Sequence, residues 1–152
     1  MTIPTLRIEQ RLLAMPPVRA LALRLDGYDG TRLRLAAPLT ANINDKGNAF
    51  GGSLASVMTL SAWALVSVKL EEADVVADVY VQDSALRYLT PLYDDLLAEA
   101  SLAPGQSWDE AIATFAQRGK VRLQMQACIR SSEGHLCCTL EGRFVALAPR
   151  PA

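Results

Sequence analysis

The pattern of apolar and polar residues divides the chain around one uncharged segment. No Asp, Glu, Lys or Arg occurs between Lys46 and Lys69, and this run opens with glycines before it becomes densely apolar. A helix that is apolar on nearly all sides must be covered on every side, so the run predicts a glycine-rich loop that leads into a buried helix. Glycine, serine and threonine interrupt the apolar part, which disfavours a membrane span.

In the rest of the chain, apolar residues recur at the spacings typical of amphipathic helices and strands. A surface helix is predicted over 5–15, and Ser107 with Glu110 forms a capping box for a second helix that Gly119 ends. On the strand predicted over 74–89, the period of two places Asp83 and Arg87 on an otherwise apolar face. Further alternating segments predict strands over 18–25, 32–35, 96–102, 121–129 and 136–144.

Strands with one polar face imply an antiparallel sheet that is wet on one side, with the apolar helix against the other. We therefore expect an α+β fold in which a curved antiparallel sheet of about six strands wraps around one long central helix. No repeat or linker divides the chain, so residues 1–152 are predicted to form a single domain with a frayed tail over 148–152.

Composition narrows the classes of function. The chain has 152 residues and is 51% hydrophobic, which suits one domain with a sizeable core. Its 15 basic and 16 acidic residues are well mixed, so neither nucleic acid nor an anionic membrane is an expected partner. Three cysteines without a disulfide framework, and an N-terminus without the apolar core of a signal peptide, predict a cytoplasmic protein. With one histidine and no spaced cysteine pair, no metal site is expected.

The loop and the start of the helix carry a resemblance to a known superfamily. The residues concerned are Ala37-Pro38-Leu39, Asn42-Ile43-Asn44, Gly47, Phe50-Gly51-Gly52-Ser53 and Trp63, followed by Arg87-Tyr88-Leu89 and Pro91. With them the chain resembles the hotdog-fold superfamily, in which a curved antiparallel sheet wraps a central helix and two protomers pair to build acyl-thioester sites. More narrowly, it is similar to the thioesterase domains at the C-terminus of YiiD-type proteins.

This resemblance implies hydrolysis of an acyl thioester of coenzyme A or of acyl carrier protein, without a cofactor. It also implies a homodimer, or a dimer of dimers. The alternative is a hotdog module that binds acyl thioesters or mediates dimerisation without catalysis.

The turn from the loop into the helix is the first candidate for chemistry. A helix N-terminus presents N–H groups without partners and a positive dipole, both suited to an oxygen that gains negative charge. Glycine at positions 51 and 52 removes the Cβ that would keep a carbonyl group away. In the resembling enzymes the thioester carbonyl is held in this way, so the resemblance implies an oxyanion hole at Gly51 and Gly52. The alternative is that the glycines only permit a tight turn and close packing.

Polar residues of the loop and helix give further candidates. The pattern N-x-x-G-x-x-H-G-G occurs in phenylacetate-type hotdog thioesterases, and residues 44–52 match it with Phe50 in place of the histidine. Asn44 then either helps to place a water or the thioester, or only bonds its own backbone as a turn former. Those enzymes carry a carboxylate on the central helix where this chain has Thr59. Thr59 either lines a water site or bonds the carbonyl of the preceding turn.

The missing carboxylate is expected to come from outside the helix. Burial on an apolar strand face would raise the pKa of Asp83 into the useful range of a general base. One β-bulge would instead turn Asp83 outward as an ordinary surface charge. Asp45 in the loop is the second choice of base. The predicted substrate-binding residues are Asn42, Phe50, Ser53, Leu54, Ser84 and Arg87.

Overall fold

Six antiparallel strands form one sheet that curves around a long helix, in a computed structural model that describes residues 1–151. In chain order the elements are α1 (Ile3–Leu13), α2 (Pro16–Arg19), β1 (Arg24–Tyr28), β2 (Arg32–Ala37), α3 (Gly51–Glu72), β3 (Asp78–Tyr88), β4 (Leu96–Leu102), α4 (Trp108–Arg118), β5 (Lys120–Arg130) and β6 (Leu136–Leu147). The strands lie in the order β1-β2-β4-β5-β6-β3, so β1 and β3 are the two edges.

Helix α3 is the centre of the core. It packs against β2, β4 and β5, and α1 covers another of its sides. Val57, Met58 and Leu65 are fully buried on it, as is Phe144 on the facing side of β6. The helix is long and apolar enough to cross a membrane, but 67% of its most apolar window is buried inside the domain. The apolar composition of α3 therefore reflects its burial in the protein. The six-stranded antiparallel sheet around this helix confirms the predicted hotdog architecture.

The N-terminal region differs from its prediction. The first helix begins at Ile3, where Thr2 accepts a hydrogen bond from the N–H of Thr5, and it ends at Leu13. Pro16 then starts the separate short helix α2, because the fixed φ of proline suits a first helical position. A strand over 18–25 is therefore wrong, and β1 begins only at Arg24.

Strand β3 contains a bulge that reverses the direction of its later side chains. Val81 lies opposite the buried Phe144, whereas Asp83 lies opposite the exposed Arg143, and Gln82 is the additional residue between them. Because facing pairs share one side of a sheet, Val81 points toward α3 and Asp83 points away from it. The expectation that Asp83 lies on the apolar face is therefore wrong.

The same change of register applies to the end of β3. Leu86 lies opposite the buried Leu140 and packs against the core, while Arg87 lies opposite Thr139 and is exposed. Arg87 is thus on the outer face, contrary to its prediction. Ser84 lies on the inner face of the sheet with Leu86.

The helix α4 agrees with its sequence signals. The Ser107 hydroxyl accepts a hydrogen bond from the N–H of Glu110, and Gly119 ends the helix with a φ of 67°. The helix packs beside β5, and it takes no part in the candidate site described next.

Candidate active site at the start of α3

The first turn of α3 has three backbone donors without acceptors. Phe50 is the N-cap in an extended conformation and supplies no side-chain cap, and its carbonyl accepts from the N–H of Leu54 at 3.0 Å. Among residues 1–151, no group accepts from the N–H of Gly51, Gly52 or Ser53. Free donors at the positive end of a helix form a site for an oxygen that carries negative charge.

Two exposed aromatic side chains flank this turn. The Tyr88 hydroxyl donates to the carbonyl of Gly51 at 3.2 Å, and the Phe50 ring lies over Gly52. A Cβ at position 52 would be 2.5 Å from Cε2 of Phe50, whereas one at position 51 would be 3.7 Å from the Tyr88 ring. A side chain at 52 would therefore require the exposed Phe50 ring to move, whereas one at 51 would make ordinary contact with Tyr88.

Tyr88 was not among the predicted site residues. Its only sequence signal was its place in the motif Arg87-Tyr88-Leu89, because its contact with Gly51 joins residues that are 37 positions apart. It ties the end of β3 to the first turn of α3.

The side chain of Asn44 is engaged within its own loop. Its Nδ2 donates to Oδ1 of Asn48 at 2.7 Å, and its Oδ1 accepts from the N–H groups of Lys46 at 2.8 Å and Asn48 at 3.2 Å. This is the arrangement expected of a turn former. Asp45 projects from the same loop with its side chain 81% exposed, and the neighbouring Lys46 holds the pKa of Asp45 below its ordinary value.

Asn42 connects the loop to the start of the helix. Its Nδ2 donates to the carbonyls of Leu21 and Pro38, each at 2.9 Å, and its own carbonyl accepts from the N–H of Phe50 at 2.8 Å. Its Oδ1 is buried and has no protein partner among residues 1–151. Asn42 thus supports the first turn from behind.

The predicted residues further along α3 have structural partners. The Thr59 hydroxyl donates to the carbonyl of Ala55 at 2.8 Å, which is the back-bonding alternative. Ser53 and Leu54 are buried. Thr59 also lines a groove of about 330 Å³, whose other walls are Pro17, Val18, Leu21, Ala55, Ser56 and Leu60.

The environment of Asp83 is the opposite of the predicted one. The carboxylate is half-exposed on the outer face of the sheet and accepts hydrogen bonds from Nε and Nη2 of Arg143. The guanidinium lowers the pKa of Asp83, where burial was expected to raise it. Asp83 and Arg87 therefore lie on the face away from Tyr88, whose facing residue Cys138 is buried. Nothing in the fold brings either side chain to the first turn of α3.

No group of three or more His, Cys, Asp or Glu residues within 1–151 is placed to hold a metal ion.

The fold and the open helix terminus define a hotdog domain of the thioesterase type. The family model described as "Putative thioesterase (yiiD_Cterm)" matches residues 7–148. The chain belongs to this family.

Solved structures share this fold. A protein of unknown function from Chlorobaculum tepidum is 26% identical with a TM-score of 0.89, over 95% of this chain and 94% of that one. A protein from Shewanella oneidensis described as a "putative thioesterase" is 24% identical with a TM-score of 0.85, over 97% and 99% of the two chains. A thioesterase from Haemophilus influenzae is 18% identical with a TM-score of 0.75, over 97% and 92%. At these low identities the last two matches support the fold alone.

Proposed function

We propose that this protein hydrolyses an acyl thioester carried on coenzyme A or on acyl carrier protein. The observation that carries the proposal is the set of unpaired N–H groups at Gly51, Gly52 and Ser53. Family membership supports a thioesterase-like role, and the site has the donors that an acyl-transfer reaction needs.

In the proposed reaction the thioester carbonyl oxygen accepts hydrogen bonds from the N–H groups of Gly51 and Gly52. A water attacks the carbonyl carbon as a base takes its proton, and the carbonyl oxygen becomes an oxyanion held by those donors. The oxyanion then collapses, the carbon–sulfur bond breaks, and the departing thiolate takes up the proton to give the thiol. Asn44, in the loop before the turn, and Thr59, about two turns further along α3, are the residues proposed to place the water. No cofactor takes part.

Proton removal from the water is assigned to Asp45, the carboxylate that the loop itself carries. Asp83 was the first choice on the ground of burial, but it is exposed and paired with Arg143 on the sheet face away from α3. Asp45 is also exposed and paired with Lys46, so it is preferred only for its place in the loop before the turn. Phe50, Ser53, Leu54 and Asn42 remain the proposed surroundings of the thioester. Ser84 and Arg87 are retained only as contacts for the carrier.

A second copy of this chain is the proposed partner. Strand β3 pairs with β6 along one side only, so its other side presents unpaired backbone groups over eleven residues. Tyr80 and Val81 on this edge are 54% and 44% exposed. The opposite charges of Asp78 and Arg87 mark the two ends of β3, and an antiparallel copy would place them side by side. We propose a homodimer through this edge, with a dimer of dimers as the larger form, in the cytoplasm.

A non-catalytic acyl-thioester module is the second candidate. It is favoured by the absence of Asp and Glu between Lys46 and Lys69, which leaves α3 without a base near its first turn. Such a protein would bind the thioester through the same backbone donors and leave the carbon–sulfur bond intact.

The test is a thiol-release assay over acyl-CoA and acyl-carrier-protein substrates of increasing chain length. Gly51→Pro removes one free N–H at a position where proline is favoured, and Phe50 already has the extended conformation required before proline. Gly51→Ala is the matched control that keeps the N–H. We expect wild type to turn over at least one substrate, and Gly51→Pro to lower kcat by about 10²-fold to 10³-fold.

Tight acyl-CoA binding without turnover of any substrate would contradict hydrolysis and favour the non-catalytic module. Equal rates for wild type and Gly51→Pro would show that this N–H does not hold the oxyanion.

A further inference from the structure

The bulge in β3 decides that Tyr88 points toward the first turn of α3. Tyr88 lies opposite the buried Cys138, on the face of the sheet that α3 covers. If Gln82 were an ordinary residue of the ladder, every later side chain of β3 would lie on the other face. The hydroxyl of Tyr88 would then point away from the helix. One irregularity of the strand thus brings this hydroxyl to Gly51, 37 positions earlier in the chain.

The hydroxyl donates to the peptide unit that joins Gly51 to Gly52. Its acceptor is the carbonyl oxygen of Gly51, at 3.2 Å. In a planar trans peptide the C=O and N–H bonds point in opposite directions, so a donor held on the Gly51 carbonyl also fixes the direction of the Gly52 N–H. That N–H has no acceptor among residues 1–151. Tyr88 therefore orients one of the free donors of the candidate site without touching it.

Two adjacent glycines at a helix end make such an anchor effective. Glycine has the widest choice of backbone conformations, and helix ends fray. The Gly51 N–H belongs to a different peptide unit, whose carbonyl is that of Phe50 and accepts from the N–H of Leu54 in the helix. Within residues 1–151, only the Gly52 N–H has an anchor from outside the loop and the helix, because only its peptide unit is bonded by β3.

The same hydrogen bond strengthens the donor that it orients. A carbonyl that accepts a hydrogen bond polarises its amide group, which makes the N–H of that group a better donor. The bond is longer than the usual distance of about 2.8 Å between two oxygens, so a modest effect is expected. The ring of Tyr88 lies at ordinary contact distance from the position that a Cβ of residue 51 would occupy. Ring and hydroxyl therefore both approach the same glycine.

We propose that Tyr88 is a positioning residue for the oxyanion hole and acts through the peptide unit between Gly51 and Gly52. It directs the Gly52 N–H toward the thioester oxygen and strengthens that donor as the oxygen becomes negative. The inference rests on the proposed function and deepens it, since it gives a role to a residue outside the loop and the helix. It also gives the bulge at Gln82 a purpose, because the bulge sets the direction of Tyr88.

The test is the thiol-release assay with Tyr88→Phe, which removes the hydroxyl and keeps the ring beside Gly51. Tyr88 is 56% exposed, so the change does not endanger the fold. Tyr93→Phe is the matched control, since Tyr93 is 64% exposed in the segment before β4. We expect Tyr88→Phe to lower kcat by about threefold to tenfold at an unchanged KM, which is less than the loss of about 10²-fold on removal of a whole donor. Tyr93→Phe should keep the wild-type kcat.

A second measurement needs no turnover. The NMR shifts of the Gly51 carbonyl carbon and the Gly52 amide nitrogen respond to a hydrogen bond on the carbonyl that joins them. In the isotope-labelled full chain, both shifts should change in Tyr88→Phe and stay unchanged in Tyr93→Phe. A purely structural role of the hydroxyl would lower the Tm and leave kcat of the folded protein at its wild-type value.

Wild-type kcat in Tyr88→Phe would overturn the inference, as would a loss of kcat without a change in either shift. The failure of the proposed function is a different result. If wild type released no thiol from any substrate, hydrolysis itself would be wrong, and the role of Tyr88 would fall with it. Turnover by wild type together with an unchanged kcat in Tyr88→Phe would remove the role of Tyr88 alone.

Discussion

Asp83 and Arg143 lie opposite each other on β3 and β6 and form a forked ion pair on the outer face of the sheet. Nε of Arg143 lies 3.0 Å from each carboxylate oxygen of Asp83, and Nη2 donates to Oδ2 as well. The pairing follows from the bulge between Val81 and Asp83. Asp83 therefore contributes to the stability of the sheet edge.

This pair predicts the pH dependence of Asp83→Asn. The pKa of Asp83 is lower in the folded protein than in the unfolded chain, so its contribution to stability is present above the ordinary aspartate pKa. That contribution is lost as the pH falls through the folded value. Urea midpoints of wild type and Asp83→Asn should therefore differ slightly at pH 7 and converge in acid. A difference that grows in acid would contradict the pairing.

If the chain is a thioesterase, Asp83→Asn should also keep most of its activity. The carboxylate is on the outer face and does not reach the turn that holds Gly51. Thiol-release rates measured beside Asp45→Asn give the comparison, in which Asp45→Asn should be the slower variant. The reverse order would return Asp83 to the role of base.

Asn44→Ala is expected to destabilise the protein by about 1–3 kcal/mol. The change removes three hydrogen bonds that order the loop before α3, two of them to backbone N–H groups. Chemical denaturation measures the cost. Lys46→Ala is the control, since its backbone N–H keeps its bond to Asn44, and a similar cost for both variants would contradict this role of the Asn44 side chain.

Gly51→Pro is expected to leave stability nearly unchanged. The lost N–H has no acceptor among residues 1–151, and a proline at the first helical position needs no hydrogen bond. Thermal unfolding should show a Tm within a few degrees of wild type, on the scale that about 1 kcal/mol produces in a domain of this size. A large fall in Tm would show that the N–H has a structural partner.

Tyr80→Lys is expected to convert the proposed dimer into monomers. A lysine on an unpaired strand edge opposes pairing with another chain because its charge would have to be desolvated. Leu97→Lys is the matched control, as Leu97 is 41% exposed on an interior strand and Tyr80 is 54% exposed on the edge. Light scattering after size exclusion should show monomers for the first variant alone. Dimers in both variants would exclude this edge as the interface.

The two buried thiols of β6 are expected to resist modification in the folded protein. Burial raises the pKa of Cys138 to about 12, so almost no thiolate is present near pH 8, and Cys137 is 1% exposed. In a Cys128→Ser background, a disulfide reagent should label neither thiol in the native state and both after denaturation. Rapid native labelling would contradict their burial.

The sequence predicted the elements whose signals are local. The uncharged run between Lys46 and Lys69 indicated the buried helix, since burial on all sides excludes charge. The cap at Ser107 and the stop at Gly119 indicated α4, because each residue acts on backbone groups close to it in the sequence. These elements were confirmed.

The errors depend on register and on contacts between distant segments. Gln82 has no property that marks it as the additional residue of a bulge, so the period of two was carried through it to the wrong face. The donors of Gly51 were predictable from the helix start, but the contact from Tyr88 was not, since it depends on where β3 ends in space.

The bulge at Gln82 also sets a rule for comparing this strand with related strands. A related strand that lacked this one residue would alternate strictly and keep the same faces, with Asp83, Ala85 and Arg87 still turned away from α3. A gap-free alignment across this point would therefore equate inward positions of one protein with outward positions of another. If Gln82 instead entered the ladder as an ordinary residue, Asp83, Ala85 and Arg87 would turn toward α3, so the bulge itself decides which set of side chains is presented beside that helix.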